Sequence, residues 1–105
     1  MLDVKKTLAK ILANLKTPIK VQTFRTASLT YPASGGQSAT NAVPSVNGYT
    51  PLCLVGWNSY SWSVAVTRAL ISGTNILWSA RNFTNSQVSN NWIEFFILYI
   101  RNDLA

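Results

Sequence analysis

Residues 90–101 read NNWIEFFILYIR, in which residues 92–100 are large and apolar apart from one acid, Glu94. Nine such residues are too few for a membrane-spanning helix, which takes about 20, so the segment predicts a β-strand. Side chains alternate between the two faces of a strand. One face would carry Trp92, Phe96, Leu98 and Ile100 with Glu94, and the other Ile93, Phe95, Ile97 and Tyr99. Because a strand that is apolar on both faces needs cover on both, we expect a central strand between an opposite sheet and neighbouring chains.

The N-terminal segment, residues 1–17, predicts an amphipathic helix that ends before Pro18. Its apolar residues are spaced four, three and four apart, as in the a/d seam of a heptad: Val4, Leu8, Ile11 and Leu15. An isolated helix shorter than about 12 to 15 residues is marginal in water. We therefore expect this helix to associate with copies of itself, to dock on the rest of the chain, or both.

From Ile19 onward the pattern changes to β-branched and aromatic runs separated by polar turns, which is typical of a small sandwich or barrel. The segment 32–47 is rich in small residues and predicts a long surface loop with, at most, one short strand. Four successive strands of an antiparallel meander are predicted at 49–57, 62–71, 76–83 and 92–101, and Pro51 favours either an edge position for the first strand or the start of a strand. The predicted fold is all-β: a small antiparallel, jelly-roll-like β-sandwich in residues 18–105, preceded by one N-terminal α-helix in residues 1–17.

The composition indicates that part of the surface is covered. Charged residues make up 11% of the chain, against about 25% in typical domains, and 48% of the residues are hydrophobic. This favours an obligate oligomer over a neutral domain coated with serine, threonine and asparagine. The net charge of +6 comes largely from five lysines in the first twenty residues, and no nucleic-acid-binding motif accompanies them. We expect neither nucleic-acid binding nor membrane insertion, and we expect Cys53, within the apolar run LCLV, to be a buried, inert thiol.

The chain has few of the side chains that catalytic sites use. There is no histidine, and the three acids are Asp3, Glu94 and Asp103. A Ser-His-Asp triad is therefore impossible, nothing points to a carboxylate pair, and the clusters that hold metal ions are missing. The sequence predicts a protein that is not an enzyme and has no cofactor or metal.

The turn WNSYSW carries the candidate binding residues Trp57, Asn58, Tyr60 and Trp62. Aromatic faces accept the apolar faces of sugars, and amides both donate and accept hydrogen bonds, so this group suits an uncharged glycan. The alternative is that these aromatic residues belong to the core. Two arginines, Arg68 and Arg81, lie inside predicted strands, and we expect one of them to pair with Glu94.

Two motifs resemble a known family. The stretch GYTPLCLVGW, with the matching residues Gly48, Tyr49, Thr50, Pro51, Val55, Gly56 and Trp57, and the closing LYIRN, residues 98–102, resemble C-terminal receptor-binding domains of tail-fibre or head-fibre proteins. The opening VKKTLAKILANLKTPI is similar to short proteins of phage and prophage tail modules of gut Firmicutes. The resemblance implies a homotrimer on the virion surface, made in the bacterial cytoplasm, with bundled helices and a β head that binds cell-surface polysaccharide.

Two other functions share these sequence features. A structural virion decoration or tail-assembly protein, in contact with other virion proteins, would have the same strands and helix without a ligand. A cationic, membrane-active toxin would use the lysine-rich helix on anionic membranes.

Overall fold

The structure, a computed structural model, describes residues 3–15 and 18–104, and the side chains of residues 3–9 and 18–104. Its elements in chain order are α1 (Val4–Leu15), β1 (Ile19–Arg25), β2 (Leu29–Tyr31), β3 (Gly36–Ala42), β4 (Tyr49–Ser59), β5 (Val64–Ser72), β6 (Asn75–Asn82), β7 (Val88–Asn91), β8 (Ile93–Arg101) and a 3₁₀ turn (Asn102–Leu104). The predicted all-β class with one N-terminal helix is confirmed.

Helix α1 begins with a capping interaction by Asp3, whose Oδ1 accepts a hydrogen bond from the Lys6 amide at 3.1 Å. Such a cap satisfies one of the unpaired amides of a first helical turn. Val4 and Leu8, the first two residues of the predicted seam, are 69% and 53% exposed. Ile11 and Leu15 belong to the same helix, and their side chains lie outside the described residues.

Three long arms of chain build the β domain, with the last one in the centre. Arm 3, residues 75–101, pairs antiparallel with arm 1, residues 19–42, through β8·β1, β7·β2 and β6·β3. Its other side pairs antiparallel with arm 2, residues 49–72, through β8·β4 and β6·β5. Arms 1 and 2 thus flank arm 3, and the nested pairing of β1 with β8, β2 with β7 and β3 with β6 gives the domain its jelly-roll-like character.

The three arms bend together at mid-length, so that the β1-β8-β4 sheet lies over the β3-β6-β5 sheet. The core forms between these layers, where the Trp78 and Phe95 rings meet with centroids 6.1 Å apart. The buried apolar residues are Tyr31, Val43, Val64, Ile76, Trp78, Ala80, Ile93, Phe95, Ile97 and Tyr99.

Buried polar side chains hold the bends. Thr26 and Ile93 are joined twice, because the Thr26 amide donates to the Ile93 carbonyl at 2.8 Å and Thr26 Oγ1 accepts from the Ile93 amide at 3.0 Å. Asn91 accepts from the Ser61 amide through Oδ1 at 2.7 Å. Asn82 donates to the carbonyls of Tyr31, at the end of β2, and of the loop residues Pro32 and Ser86. These bonds satisfy backbone groups that lose their ladder partners where a sheet folds over.

The strand predicted at 92–101 is the central strand β8, which begins one residue later, at Ile93. Its residues Ile93, Phe95, Ile97 and Tyr99 are fully buried, whereas Phe96, Leu98 and Ile100 on the other face are only partly buried. The opposite sheet covers the first face. No other element of the described chain covers the second.

Three details differ from the sequence-based expectations. Strands β4 and β5 do not form a hairpin: their connection, residues 60–63, lies at the bend, so β4 pairs with β8 in one sheet and β5 with β6 in the other. The predicted loop 32–47 contains the seven-residue strand β3, whose ladder to β6 orders small polar residues of low intrinsic β preference. Cys53 is exposed, because it faces outward from the edge strand β4, and an edge is one of the two positions that Pro51 favours.

Candidate functional site

The four predicted binding residues lie together at the bend of arm 2. Trp57 and Asn58 lie just before Ser59, the last residue of strand β4, and Tyr60 and Trp62 belong to the connection that follows. The connection is anchored to arm 3, because the Tyr60 amide donates to the Trp92 carbonyl at 3.1 Å and the Ser61 amide to Asn91. The bend therefore presents these side chains from a fixed backbone.

These residues line an open cleft of about 440 Å³, here called the aromatic cleft, whose far wall is formed by residues 64–66. Trp62 is 91% exposed and Trp57 48% exposed, so neither ring belongs to the core. No hydrogen bond links the Asn58 side chain to another described residue, and its amide is free for a ligand. The cleft has no acidic or basic lining residue. The grouping matches the sequence-based expectation, and the role in ligand binding stays a prediction.

An aromatic contact missed from the sequence supports one side of this cleft. Tyr60 packs on Trp92 with ring centroids 5.4 Å apart, and the Arg25 guanidinium lies 3.8 Å from the Trp92 ring centroid. Cation–π contacts of this kind stabilise by about 0.5 to 1 kcal/mol at exposed sites. Residues 25 and 92 are far apart in sequence, and the antiparallel pairing of β1 with β8 alone brings them together.

The partner of Glu94 is Arg25, not Arg68 or Arg81 as the sequence-based reasoning held. Arg25 and Glu94 are direct cross-strand partners in the β1·β8 ladder, and Arg25 Nη2 lies 3.0 Å from Glu94 Oε2. Strands β5 and β6, which carry Arg68 and Arg81, belong to the other sheet. The thickness of the sandwich separates them from Glu94, and the expected pair is corrected accordingly.

The outer side of the β1-β8-β4 sheet is a second candidate surface, here called the apolar face. Strand β4 has two bulges, so that Leu52 and Cys53 lie opposite Leu98, and Val55 and Gly56 opposite Phe96. Ile19, Val21, Leu52 and Val55 are each more than half exposed. The apolar face comprises Ile19, Val21, Leu52, Cys53, Val55, Phe96, Leu98 and Ile100. Exposed apolar patches of this kind mark interaction sites.

Several ionisable groups have shifted pKa values. The Arg101 hydrogen bonds hold the pKa of the exposed Asp103 carboxyl below its usual value, and burial raises the pKa of the Tyr31 and Tyr99 phenols. Within residues 3–15 and 18–104, no three metal-ligating side chains cluster. The described helix is also too short and too polar to cross a membrane.

Comparisons with protein-family models, with curated proteins and with solved structures find no match to this chain. The resemblance to phage tail-module proteins therefore stays a prediction, and the functional argument rests on the surfaces described above.

Proposed function

We propose that this chain is a non-enzymatic, phage-type fibre or receptor-binding protein, a homotrimer whose β head binds uncharged cell-surface glycan at the aromatic cleft. On this proposal it acts on the virion surface after synthesis in the bacterial cytoplasm. The observation that carries the binding role is Trp62, which is 91% exposed beside the half-exposed Trp57 on a backbone fixed by hydrogen bonds. An exposed indole offers a sugar an apolar face together with an N–H donor.

The lining of the aromatic cleft supports a neutral, hydroxyl-rich ligand. Asn58 provides an amide that can both donate to and accept from sugar hydroxyls. No charged side chain lines the cleft, and the neighbouring Arg25 and Glu94 neutralise each other in an ion pair, so the cleft suits a neutral ligand. Rigid aromatic platforms with one or two amides bind sugar rings through stacking and paired hydrogen bonds.

Self-association is supported by the apolar face and by the exposed helix seam. The accessible surface of the chain is 6872 Å², whereas a compact monomer of 11.6 kDa exposes about 5800 Å². The excess, about 1000 Å², exceeds the roughly 800 Å² that each partner buries in a standard interface. Val4 and Leu8 on the helix, and Ile19 and Val21 at the start of the β domain, supply apolar side chains for such contacts.

A virion decoration or tail-assembly protein without a ligand is the second candidate. The apolar face favours it, because that face is suited to permanent contacts with other virion proteins. Binding measurements on the aromatic cleft separate the two functions, since a bare structural protein binds no glycan.

The binding role is tested with a glycan array followed by NMR titration of the wild type, Trp57→Ala, Trp62→Ala and the control Phe83→Ala. Phe83 is another exposed aromatic side chain, 64% accessible, and it lies outside the aromatic cleft. We expect both tryptophan variants to weaken glycan binding at least fivefold, taking the roughly 1 to 3 kcal/mol known for bases stacked on aromatic side chains as the scale for a stacked ring. The control should bind as the wild type does. Equal binding by all four proteins, or no glycan bound by any of them, contradicts the binding role.

The oligomeric role is tested by sedimentation equilibrium of the full chain and of a variant lacking residues 1–17. A homotrimer has three times the chain mass of 11.6 kDa. A monomer in both cases, with the helix ordered only on anionic vesicles, would refute the fibre proposal in favour of the membrane-active toxin.

A further inference from the structure

The two outer faces of the sandwich differ in chemistry. The outer side of the β1-β8-β4 sheet is largely apolar. The outer side of the β3-β6-β5 sheet carries small and hydroxyl side chains with two arginines, and Leu70 and Leu77 lie beyond them on the same side. We call the second surface the basic face, and its residues are Gly36, Ser38, Thr40, Ala65, Thr67, Arg68, Ser79 and Arg81.

The strand register places the two arginines as diagonal neighbours. Arg68 on β5 lies directly opposite Ser79, and Arg81 follows Ser79 by two residues along β6 on the same face. Diagonal neighbours in an antiparallel pair have their Cβ atoms about 7 to 8 Å apart, so both guanidinium groups reach one ligand group. Ser38 on β3 lies opposite Ser79 from the other side, which adds two hydroxyl groups beside the arginines.

Gly36 has no side chain, which leaves a depression at one end of this face. A Cβ atom at Gly36 would stand 2.8 Å from the Ala80 carbonyl oxygen, so only glycine allows strand β3 to approach β6 this closely. The shallow depression beside it, about 560 Å³, is lined by Gly36, Gln37, Ser38, Thr67, Ser79, Ala80 and Arg81.

The charged and hydroxyl groups of the basic face have few partners of their own. Among the described residues, neither Arg68 nor Arg81 forms an ion pair, and Arg81 has only a distant contact, 5.9 Å, with the Phe83 ring. The hydroxyl groups of Ser38, Thr67 and Ser79 make no hydrogen bond to another described residue. Of the chain's three acids, Glu94 and Asp103 pair with Arg25 and Arg101 in the other sheet.

We propose that the basic face is a second binding site, which takes the phosphate or sulfate groups of an anionic polysaccharide. A guanidinium group binds two oxygens of such an oxyanion at once, and the neighbouring serine hydroxyls donate to the remaining oxygen. Single-stranded nucleic acids stack successive bases on a series of aromatic side chains, whereas the basic face has only the exposed Phe83 ring at its edge, 5.9 Å from the Arg81 guanidinium. The basic face lies on the opposite side of the sandwich from the apolar face and stays open when copies pack through the latter.

The site is tested by isothermal titration of the full chain with inorganic polyphosphate, dextran sulfate, neutral dextran and a single-stranded oligonucleotide. The variant Arg68→Gln/Arg81→Gln is compared with Lys5→Gln/Lys6→Gln, which removes the same charge from exposed helix residues. We expect the arginine variant to weaken polyphosphate or dextran sulfate binding at least tenfold and the lysine variant less than twofold. Polyphosphate and dextran sulfate distinguish phosphate from sulfate as the preferred group, and neutral dextran should not bind to this face.

Three outcomes overturn the proposal. Equal weakening by the two pairs of substitutions would mean that net charge alone governs binding. Tighter binding of the oligonucleotide than of either polyanion would assign the face to nucleic acid. Full retention of binding by the arginine variant would place the anion elsewhere.

A charge-conserving variant separates geometry from charge. Arg68→Lys/Arg81→Lys keeps both positive charges and removes the planar fork, and we expect it to bind at least threefold more weakly than the wild type. Because the site does not depend on the aromatic cleft, Trp57→Ala and Trp62→Ala should bind polyphosphate as the wild type does. Failure of glycan binding at the cleft and failure of anion binding here are thus distinguishable.

Discussion

Replacing Asn82 with alanine tests whether a single buried side chain holds the bend of the sandwich. Asn82 is fully buried. Its Nδ2 donates to the Ser86 carbonyl at 2.8 Å and to the Tyr31 and Pro32 carbonyls at 3.3 Å. Its Oδ1 accepts from the amide and the hydroxyl of Thr84 at 2.9 and 2.7 Å. The substitution therefore removes the partners of several backbone groups in two loops at once.

The expected magnitude follows from those bonds. A hydrogen bond contributes about 0.5 to 1.5 kcal/mol net, and a buried group left without a partner costs about 1 to 3 kcal/mol. Water reaches the exposed Ser86, but not the buried Tyr31 side of the bend. We therefore expect Asn82→Ala to lower the free energy of unfolding by about 3 kcal/mol. For a domain of this size, each kcal/mol lowers Tm by about 4 to 8 °C, so the loss corresponds to about 12 to 24 °C.

The assay is urea and thermal unfolding followed by far-UV circular dichroism at one fixed protein concentration, because association shifts apparent stability. The matched control is Asn85→Ala, which removes an exposed asparagine of the same loop; such surface changes stay within about 0.5 kcal/mol. A loss below about 1 kcal/mol for Asn82→Ala, or an equal loss for the control, would refute the reasoning that the buried amide holds the bend.

Three further outcomes are expected. Phe95→Ala should lower the free energy of unfolding by about 3 to 5 kcal/mol in urea titrations, because the ring is fully buried against Trp78; a loss near zero would contradict the two-layer core. Val21→Lys should reduce the sedimentation mass, since it places a charge on the apolar face, whereas the control Ser38→Lys on the opposite sheet should not; unchanged mass in both would remove that face from the interface. The pKa of Asp103 is lowered in the folded state, so its contribution to stability is present at neutral pH and is lost as the pH falls through that lowered pKa. Asp103→Asn should remove this component of the acid sensitivity in unfolding curves, and identical pH profiles for variant and wild type would contradict it.

The sequence predicts the central strand because residues 92–100 are apolar at every position except Glu94. Alternation within residues 92–100 assigns Ile93, Phe95, Ile97 and Tyr99 to one face, and these four are buried in the structure. The N-terminal helix and the all-β class are likewise predicted from the spacing of apolar residues along short stretches of the chain. These features depend on residues within a few positions of each other, which is the range over which periodicity carries information.

The sequence does not predict which strands pair, because pairing here is non-local. Arg25 meets Glu94 across 69 residues, and no local pattern distinguishes it from Arg68 or Arg81. Strand β3 consists of small polar residues that locally favour a loop, and its ladder to β6 overrides that preference. The sequence predicts the residues of the aromatic cleft because they are close together along the chain. It does not predict the support from Trp92, because Trp92 belongs to another arm.

The central position of arm 3 has a consequence for synthesis on the ribosome. Ribosomes make arms 1 and 2 first, yet in the described structure both take their ladder partners from arm 3. Until residues 75–101 leave the ribosome, the earlier arms expose unpaired strand edges and the apolar side chains that the folded domain buries in its core. Such edges invite pairing with other chains. The β domain therefore completes its fold only once residues 75–101 are available to pair with the two earlier arms.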